Sequence, residues 1–442
     1  MVVAAESTLQ FRGIAEEPEM VRPECGLGAN NLSVALFTNP IPIGGSIATG
    51  APRGLESGGR SALVRLDRQG GSGDDSGQGG RSRDPGVPGG AGGPPPREQE
   101  ARNGTHLSRR ARIVLELSKP RITRLVTLTA MVGFALAAAG LPADSWSWAS
   151  MLVVCLGCGI GTALSSAGAN ALNQWLERRR DALMPRTATR PLPERRVSPF
   201  GAFAVGFALS LAGVGVLLVT CGAGPALVSI ATILVYVLLY TPMKPVSPLS
   251  TLVGAVPGAL PPLIGFSAAA TLSPGAFNAM PGLRNVLASL QSLGTTSSLG
   301  GWSLFALMFV WQVPHVLALS WMYKDDYLRG GHKVLPVFDQ TGVLTSVIVI
   351  LWALLLIPAT LLPAVFMPDR LGWPYVVIAG LSGGAFVAMC FRLARVRTRA
   401  AARAVFFGSI VHLPLLLLAM VVEVLTRLSI WGLPEAMSGA GS

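Results

Sequence analysis

Three oxygen-bearing side chains recur at a spacing of four residues directly after a long apolar run. Asn173, Glu177 and Asp181 stand in the stretch NQWLERRRDALMPRTATRPLP, which begins at residue 173. Residues at that spacing rotate by only about 40° around an α-helix, so these side chains line one face. An amide and two carboxylates offer the hard oxygen ligands that Mg²⁺ takes together with phosphate oxygens of a substrate. We predict a magnesium site at Asn173, Glu177 and Asp181.

Two arginines follow this face at the same spacing. Arg186 and Arg190 carry guanidinium groups that suit phosphate or carboxylate in a bidentate arrangement. The alternative is a helix end whose charges sit in water and only set the topology. That alternative gives no reason for the acids to share a face, so we favour the binding site.

A second acidic cluster lies in WQVPHVLALSWMYKDDYLRGGHKVLPVFD, which begins at residue 311. Asp325 and Asp326 follow another apolar run, with Arg329 and Lys333 close behind. Two acid clusters that face each other across a bundle can hold a magnesium diphosphate between them, and Asp326 is the metal ligand we expect from this one. A solvated, highly charged loop is the alternative.

Two histidines lie inside apolar runs. His315 follows Pro314, where the missing backbone donor predicts a kink. An ionisable side chain within a membrane helix indicates function by default, whereas a neutral histidine can also simply bond a neighbouring helix. His412 presents the same choice with weaker context.

The composition indicates the elements that must position these groups. Half of the 442 residues are hydrophobic and only 13% are charged, which is atypical of a soluble domain. A helix needs roughly 20 apolar residues to cross a bilayer core, and nine runs qualify. They are 122–140, 150–172, 200–219, 225–241, 250–270, 302–322, 341–365, 373–391 and 404–426. We therefore predict an all-α polytopic membrane protein.

The net charge of +12 does not point to a nucleic-acid partner, because the basic residues are confined to alternate loops. Arginines and lysines crowd the segment before span 1 and the loops after spans 2, 4, 6 and 8, whereas the intervening loops carry little beyond Arg284 and Arg370. This alternation follows the positive-inside rule and supports both the span count and the orientation.

Span 5 is interrupted by glycine and proline. Lys244 marks the inner boundary before it, and Gly254, Pro257, Gly258 and the pair Pro261 and Pro262 fall within it. Such a helix must break or kink, and broken membrane helices line cavities. Close helix packing through Gly254 and Gly258 is the alternative, and both can hold.

The first 105 residues are rich in Gly, Pro, Ser and charge, and we interpret them as a disordered extension that could carry a targeting signal. The domain is expected at 106–430, followed by a short tail at 431–442. The five cysteines indicate no disulfide framework. The pair Cys155 and Cys158 lies inside span 2, where packing is the favoured role.

With these stretches in view, the chain resembles the UbiA-type intramembrane prenyltransferases, and within them the branch that farnesylates heme. The likeness rests on NQWLERRRDALMPRTATRPLP, YTPMK, GAVPGALPPLIG, WQVPH, DDYLRGGHKVLP and VHLPLLLL. It implies nine helices around a central cavity and transfer of the farnesyl group of farnesyl diphosphate to a vinyl group of heme b. A quinone or chlorophyll precursor as acceptor, or a heme-handling protein without enzymatic activity, remain as alternatives.

The resemblance also implies roles for the residues. Asn173, Glu177 and Asp181 match the first metal and diphosphate motif, and Asp325 and Asp326 match the second. The basic residues Arg186, Arg190, Lys244, Arg329 and Lys333 are expected to bind substrate, and His315 matches a histidine associated with heme. Mg²⁺ is the expected cofactor, and a membrane protein that delivers heme or consumes the product is a conceivable partner.

The chain departs from the family pattern at several positions. Pro245 and Ser250 stand where relatives often have Arg and Asn, Glu177 stands where many have Asp, and Gly330 replaces a carboxylate. We expect one metal to have fewer protein ligands as a result. The expected location is the mitochondrial inner membrane with the acidic loops on the matrix side, and a bacterial plasma membrane is the alternative.

Overall fold

The computed structural model describes residues 109–272 and 298–431, and the described part is helical without strands. Nine of its helices are long and apolar enough to cross a membrane, which confirms the predicted fold class. We number these helices α1 to α9 in chain order. Their bounds are Pro120–Ala138, Trp148–Asp181, Pro199–Cys221, Ala223–Met243, Ser250–Ala270, Leu299–Met322, Val343–Phe366, Trp373–Val396 and Arg399–Trp431.

Shorter helices lie in the connections. One covers residues 109–118 ahead of α1, and a 3₁₀ turn, Ala143–Ser145, precedes α2. Two more, Lys324–Arg329 and Leu335–Phe338, lie between α6 and α7. The predicted extension at 1–105 and most of the tail at 431–442 lie outside the described residues.

Helix α2 is longer than a bilayer requires. It begins with a capping box between Ser147 and Ser150, and it continues for 34 residues to Asp181. At 1.5 Å per residue the helix is roughly 50 Å long, whereas the hydrocarbon core is about 30 Å thick. Its last turns therefore extend past the core and carry the polar residues toward the inner loops.

Helix α4 changes its winding near its inner end. The segment Val235–Tyr240 is a π-helix, and α-helical winding resumes at Thr241–Met243. A π-helical turn adds a residue and turns the side chains that follow it to a different face, and such turns often occur at functional sites. In this way α4 presents Tyr236 and Tyr240 to the bundle interior, where both are buried.

Helix α5 is broken, as predicted, between Ala259 and Pro261. Its glycines also lie at close contacts, because a Cβ on Gly254 would meet the ring of Tyr240 and one on Gly258 would meet the Gln312 amide. The same helix lines two cavities. Both interpretations of this segment are therefore confirmed.

The largest core cluster of the described residues takes side chains from all nine spans and centres on α5 and α6, the two most buried spans, and α2 packs on α3 through small residues. Gly133 of α1 faces the Pro262 backbone of α5, and Gly265 of α5 faces the Ala130 backbone of α1. This reciprocal arrangement lets the two backbones touch. Pro314 lies within the unbroken run of α6, and Cys155 and Cys158 are free thiols, the second fully buried.

Candidate active site

The three predicted ligands of α2 lie at its inner end, and we call Asn173, Glu177 and Asp181 the α2 polar face. Asn173 is 1% exposed, Glu177 6% and Asp181 1%. Burial of two carboxylates requires compensating charge or hydrogen bonds. Each of the three groups has such a partner.

A different cation contacts each member of the α2 polar face. Lys119 Nζ donates to Asn173 Oδ1 at 3.1 Å. Lys244 Nζ donates to Glu177 Oε1 at 2.7 Å, and an Arg190 guanidinium nitrogen lies 2.8 Å from Asp181 Oδ2.

These cations come from separate segments, so the face is assembled by tertiary structure. Of the residues predicted to bind substrate, Lys244 and Arg190 contact the face directly. Neither was expected to bind its carboxylate in this way.

Lys119 is a site residue that the sequence analysis does not single out, because it stands there among the basic residues before span 1. It is 7% exposed and holds a left-handed backbone conformation, φ 46°, directly before Pro120. A residue before proline avoids the right-handed helical region. The feature of the sequence that indicates a special role for Lys119 is its place directly before the proline that begins an apolar run.

Lys244 links the polar face to two loops. Its ammonium also lies 4.6 Å from the centre of the Tyr240 ring, and its carbonyl accepts a bond from the Lys333 backbone N–H. Burial by itself lowers the pKa of Lys244, but the Glu177 carboxylate outweighs burial and raises that pKa above the ordinary lysine value. The ion pair with Glu177 therefore favours the charged form of Lys244.

The second acidic cluster lies beside a cleft of about 270 Å³. Asp325 is exposed and Asp326 half-buried, both in the first turn of the short helix Lys324–Arg329. The cleft is also lined by Arg186 and by Arg399 at the start of α9, and we call it the Arg186 cleft. The guanidinium of Arg186 lies 5.4 Å from the centre of the Tyr323 ring.

The loop that carries the second cluster touches the end of α2. Arg180 donates to the Gly330 carbonyl at 3.3 Å. A Cβ at Gly330 would lie 2.9 Å from Met184 Sδ, so the carboxylate that the family pattern has there would require the flexible Met184 side chain to shift.

A histidine of the same loop, rather than an acid, lies next to Glu177 and Lys244. His332 is 4% exposed, and its Nδ1 has no hydrogen-bond partner among the described residues. Burial first, and then the ammonium of Lys244, lower the pKa of His332 to about 4. The ring is therefore neutral near pH 7. Arg329 and Lys333, both predicted to bind substrate, are exposed in the same loop.

His315 lies in the α6–α9 interface, apart from the acids. Its Nδ1 is 2.6 Å from the Ser409 hydroxyl, and its ring stacks between Trp311 and Phe406. Its Nε2 is buried and has no hydrogen-bond partner within residues 109–272 and 298–431. His412 lies on α9 and stacks on Phe386, and both of its ring nitrogens lack partners.

The donor set of the α2 polar face fits a divalent cation in kind. It offers two carboxylates and an amide oxygen, and Asp181 Oδ1 is buried without a hydrogen bond from any residue that the structure describes. Within residues 109–272 and 298–431, no three His, Cys, Asp or Glu side chains are grouped closely enough to hold a metal by themselves. Substrate oxygens would have to complete the coordination, as is usual for Mg²⁺.

Comparison with known proteins gives consistent matches. Residues 126–411 match the UbiA prenyltransferase family. The protoheme IX farnesyltransferase of Solibacter usitatus (strain Ellin6076) is 40% identical over 313 residues, which are 68% of this chain and 95% of that protein. That of Opitutus terrae (strain DSM 11246) is 37% identical over 70% of this chain and 93% of its own length.

Two further matches concern compartment and fold. The mitochondrial protoheme IX farnesyltransferase of Pyricularia oryzae (strain 70-15) is 37% identical over 74% of this chain and 57% of its own. A structure from work on digeranylgeranylglyceryl phosphate synthase in membranes superposes with a TM-score of 0.55 at 14% identity. That superposition covers 72% of this chain and 99% of the solved one, and it shows a shared fold.

Proposed function

The chain belongs to the UbiA prenyltransferase family, and from that premise we infer that it transfers the farnesyl group of farnesyl diphosphate to a vinyl group of heme b. The product is heme O. Relatives from several bacteria and one fungus, 32–41% identical to this chain, are named for this reaction. The chain is an integral membrane enzyme with nine spanning helices in its described part.

The observation that carries this function is the α2 polar face with its ring of cations. Two carboxylates, Glu177 and Asp181, are matched there by Lys119, Lys244 and Arg190, so the cations outnumber the acids. An excess of buried positive charge favours an anion such as diphosphate, and it favours most the form in which diphosphate gains charge as it leaves. Asp325 and Asp326 would hold the outer side of the same group.

Magnesium is the cofactor we propose, held by Asn173, Glu177 and Asp181 with Asp326. Its chemistry is Lewis-acid stabilisation of the leaving diphosphate. In the present structure Lys119, Lys244 and Arg190 contact the oxygens that would bind the metal. These cations can remain close and bind the phosphate oxygens of the substrate, so the positive charge stays where the negative charge develops.

The acceptor site that we propose lies between the Arg186 cleft and α6. Arg186 and Arg399 line that cleft and suit the propionates of a porphyrin. His315, a proposed heme contact, has an unpartnered Nε2 at the α6–α9 interface. Arg329 and Lys333 are exposed at the same end and suit the arrival of anionic substrates.

We propose the mitochondrial inner membrane as the location, with the acid clusters on the matrix side. The mitochondrial fungal relative supports this compartment, and the bacterial relatives support a plasma membrane as the alternative. The basic loops support the orientation. A membrane protein that delivers heme b or takes up heme O would be the partner.

The test is a reaction of purified protein in detergent or vesicles with heme b, farnesyl diphosphate and Mg²⁺, followed by mass analysis for heme O. We expect heme O to form with Mg²⁺ and to disappear with a chelator. Asp181→Asn should lower the rate by about a hundredfold, because it removes a charge that acts on the reacting group.

Asp369→Asn is the matched control, since Asp369 is an exposed acid in the connection between α7 and α8. It should keep the full rate. Prenylation of a quinone precursor without heme O would contradict the acceptor that we propose. Heme binding without any transfer would contradict the enzymatic function itself.

A further inference from the structure

A small cavity with some polar atoms in its walls is lined by residues of α1, α2, α4 and α5. Its walls are mostly apolar and include Ile122, Ala169, Pro257 and Ile264. Among them stand Asn170 of α2 and Ser229 and Tyr236 of α4. We call it the α2–α4 cavity.

Several polar atoms of the residues that line this cavity have no hydrogen-bond partner in the part of the chain that the structure describes. The Tyr236 hydroxyl, Ser229 Oγ, Asn170 Oδ1 and Ser165 Oγ are all buried without a hydrogen bond from the described residues. Ser229 is 1% exposed, and Tyr236 is 4% exposed. A buried polar group without a partner is costly, and ordered water is the usual partner in such a place.

The size of the cavity suits water. Its volume is about 50 Å³, and one water needs roughly 10–15 Å³ measured in the same way. The cavity therefore has room for a few waters beside the polar groups in its walls. The proposed reaction must keep bulk water away from the cation. Polar groups that can bind water in an apolar pocket therefore require an explanation.

The cavity is tied to the reaction site by hydrogen bonds. Asn173 Nδ2 donates to the Thr241 hydroxyl at 3.0 Å, and that hydroxyl donates to the Tyr236 carbonyl at 2.7 Å. Asn170 precedes Asn173 by three residues on α2 and so lies on the same side of the helix. Tyr236 itself lies in the π-helical segment of α4.

The reaction inferred above requires one water. The bond between farnesyl C1 and the diphosphate oxygen breaks, and its electron pair leaves with the diphosphate. The vinyl π electrons form the new carbon–carbon bond, which leaves a positive charge on the vinyl carbon next to the porphyrin ring. A water oxygen then bonds to that carbon and loses a proton, which the released diphosphate can accept.

We propose that Tyr236, Ser229 and Asn170 hold the water that ends this reaction. They supply it from the α2–α4 cavity, so the cation meets one positioned water rather than bulk solvent. Tyr236 is the positioning residue on which the proposal chiefly rests, because its hydroxyl is buried, unpartnered and linked through its backbone to Asn173. The proposal rests on the proposed function.

The products of single variants test it. Without a positioned water, the cation loses a proton from the neighbouring carbon and gives an alkene that is lighter than heme O by one water. Tyr236→Phe removes only the hydroxyl, and we expect the ratio of alkene to heme O to rise by about fivefold, the effect of one hydrogen bond. Ser229→Ala should shift the ratio in the same direction, while heavy-oxygen water labels the hydroxyl of any heme O that forms.

Tyr375→Phe is the matched control. Tyr375 is a buried tyrosine of α8 whose hydroxyl donates to the Thr360 carbonyl at 2.6 Å, outside the cavity walls. Its loss should leave the product ratio unchanged even if stability falls. If Tyr236→Phe and Ser229→Ala both keep the wild-type ratio, the water-site proposal is wrong. If the wild-type protein forms neither heme O nor the alkene, the proposed function itself is wrong.

Discussion

At the scale of single residues, the site is built from buried charges that neutralise one another. Glu177 and Lys244 are 7% and 12% exposed in their side chains, and Asp181 is 1% exposed beside Arg190. A buried charge that loses its partner keeps its desolvation penalty, whereas a pair that is removed together does not. The pairs can therefore be tested for stability and for activity separately.

Lys244→Met should destabilise the folded protein by about 3–5 kcal/mol, because Glu177 stays buried without its cation. Lys244→Met combined with Glu177→Gln should recover most of that loss and remain inactive. Thermal unfolding in detergent and the heme O assay measure the two effects. Equal stability of the single and double variants would contradict a buried ion pair.

Lys119→Met should lower the rate of farnesyl transfer by about tenfold or more, since Lys119 orients the Asn173 amide and supplies positive charge. Arg124→Met is the control, because Arg124 is an exposed cation near the start of α1, the helix that Lys119 precedes. Its rate should match the wild type. If Lys119→Met keeps the wild-type rate, Lys119 does not contribute to the reaction and its charge serves only the membrane topology.

His332 gives the protein a dependence on pH that can be measured. The unfolded chain protonates this histidine below its ordinary pKa of 6.5, whereas the folded protein does so only below about 4. The unfolded state thus binds more protons in this window, and the free energy of unfolding should fall as the pH drops from about 6.5 to about 4. His332→Gln should show a smaller fall over that window in detergent unfolding experiments, and an unchanged slope would contradict the assignment.

At the scale of elements, close contacts between helix backbones hold the broken helix α5 beside α1. A Cβ at Gly265 would meet the Ala130 carbonyl oxygen and the Phe134 nitrogen, which belong to a helix backbone and cannot rotate away. Gly380 of α8 has no atom within 4 Å of such a Cβ. The two glycines form a natural pair for comparison.

Gly265→Ala should lower both the stability and the rate, because α5 must move away from α1 and it lines both cavities. Gly380→Ala should be neutral or stabilise by about 0.5–1 kcal/mol, since alanine favours a helix. Unfolding temperature and transfer rate are the measurements. If the two variants have the same unfolding temperature and transfer rate, the contact between α1 and α5 accommodates an added methyl group and this prediction is wrong.

The N-terminus of α8 is held by a carboxylate from another helix. Glu423 of α9 accepts bonds from the backbone N–H groups of Gly372 and Tyr375, and Arg427 contacts the same carboxylate. Glu423→Gln should destabilise the protein by about 1–2 kcal/mol and leave the rate per folded molecule unchanged. Asp369→Asn at the same end is the control, and equal unfolding temperatures would contradict the capping role.

At the scale of the whole molecule, the loops after α2, α4 and α6 meet at one end of the bundle. Arg180 bonds the Gly330 carbonyl, and the Lys333 N–H bonds the Lys244 carbonyl. Gly372, which Glu423 contacts, lies in the connection after α7. An odd number of spans separates this connection from the loops after α2, α4 and α6, so it lies on the other side of the membrane. The site therefore occupies a single side of the membrane.

Lys333→Cys and Asp369→Cys, each in a background without the native cysteines, should react with an impermeant maleimide from opposite sides of sealed vesicles. Both positions are exposed. The positive-inside rule predicts that position 333 lies on the inner side. Labelling of both positions from the same side would contradict the nine-span topology.

The sequence by itself determined which segments cross the membrane and which face of α2 carries oxygen ligands. Both follow from local regularities in the sequence. A long apolar run forms a helix in lipid, and residues four positions apart lie on the same face of that helix. The broken α5 and the family likeness were visible for the same reason. Residues such as Asn173, Glu177 and Asp181 could therefore be named in advance.

Only the tertiary structure decided what stands opposite that face. Lys119 and Lys244 lie 54 and 67 residues from the groups that they contact, and no periodicity relates them. The position of Tyr236 against the α2–α4 cavity, and the contact between Gly330 and Met184, also depend on neighbours distant in the chain. The residue pattern of one helix predicts which of its side chains share a face. Charge pairs and cavities form only when several helices pack together.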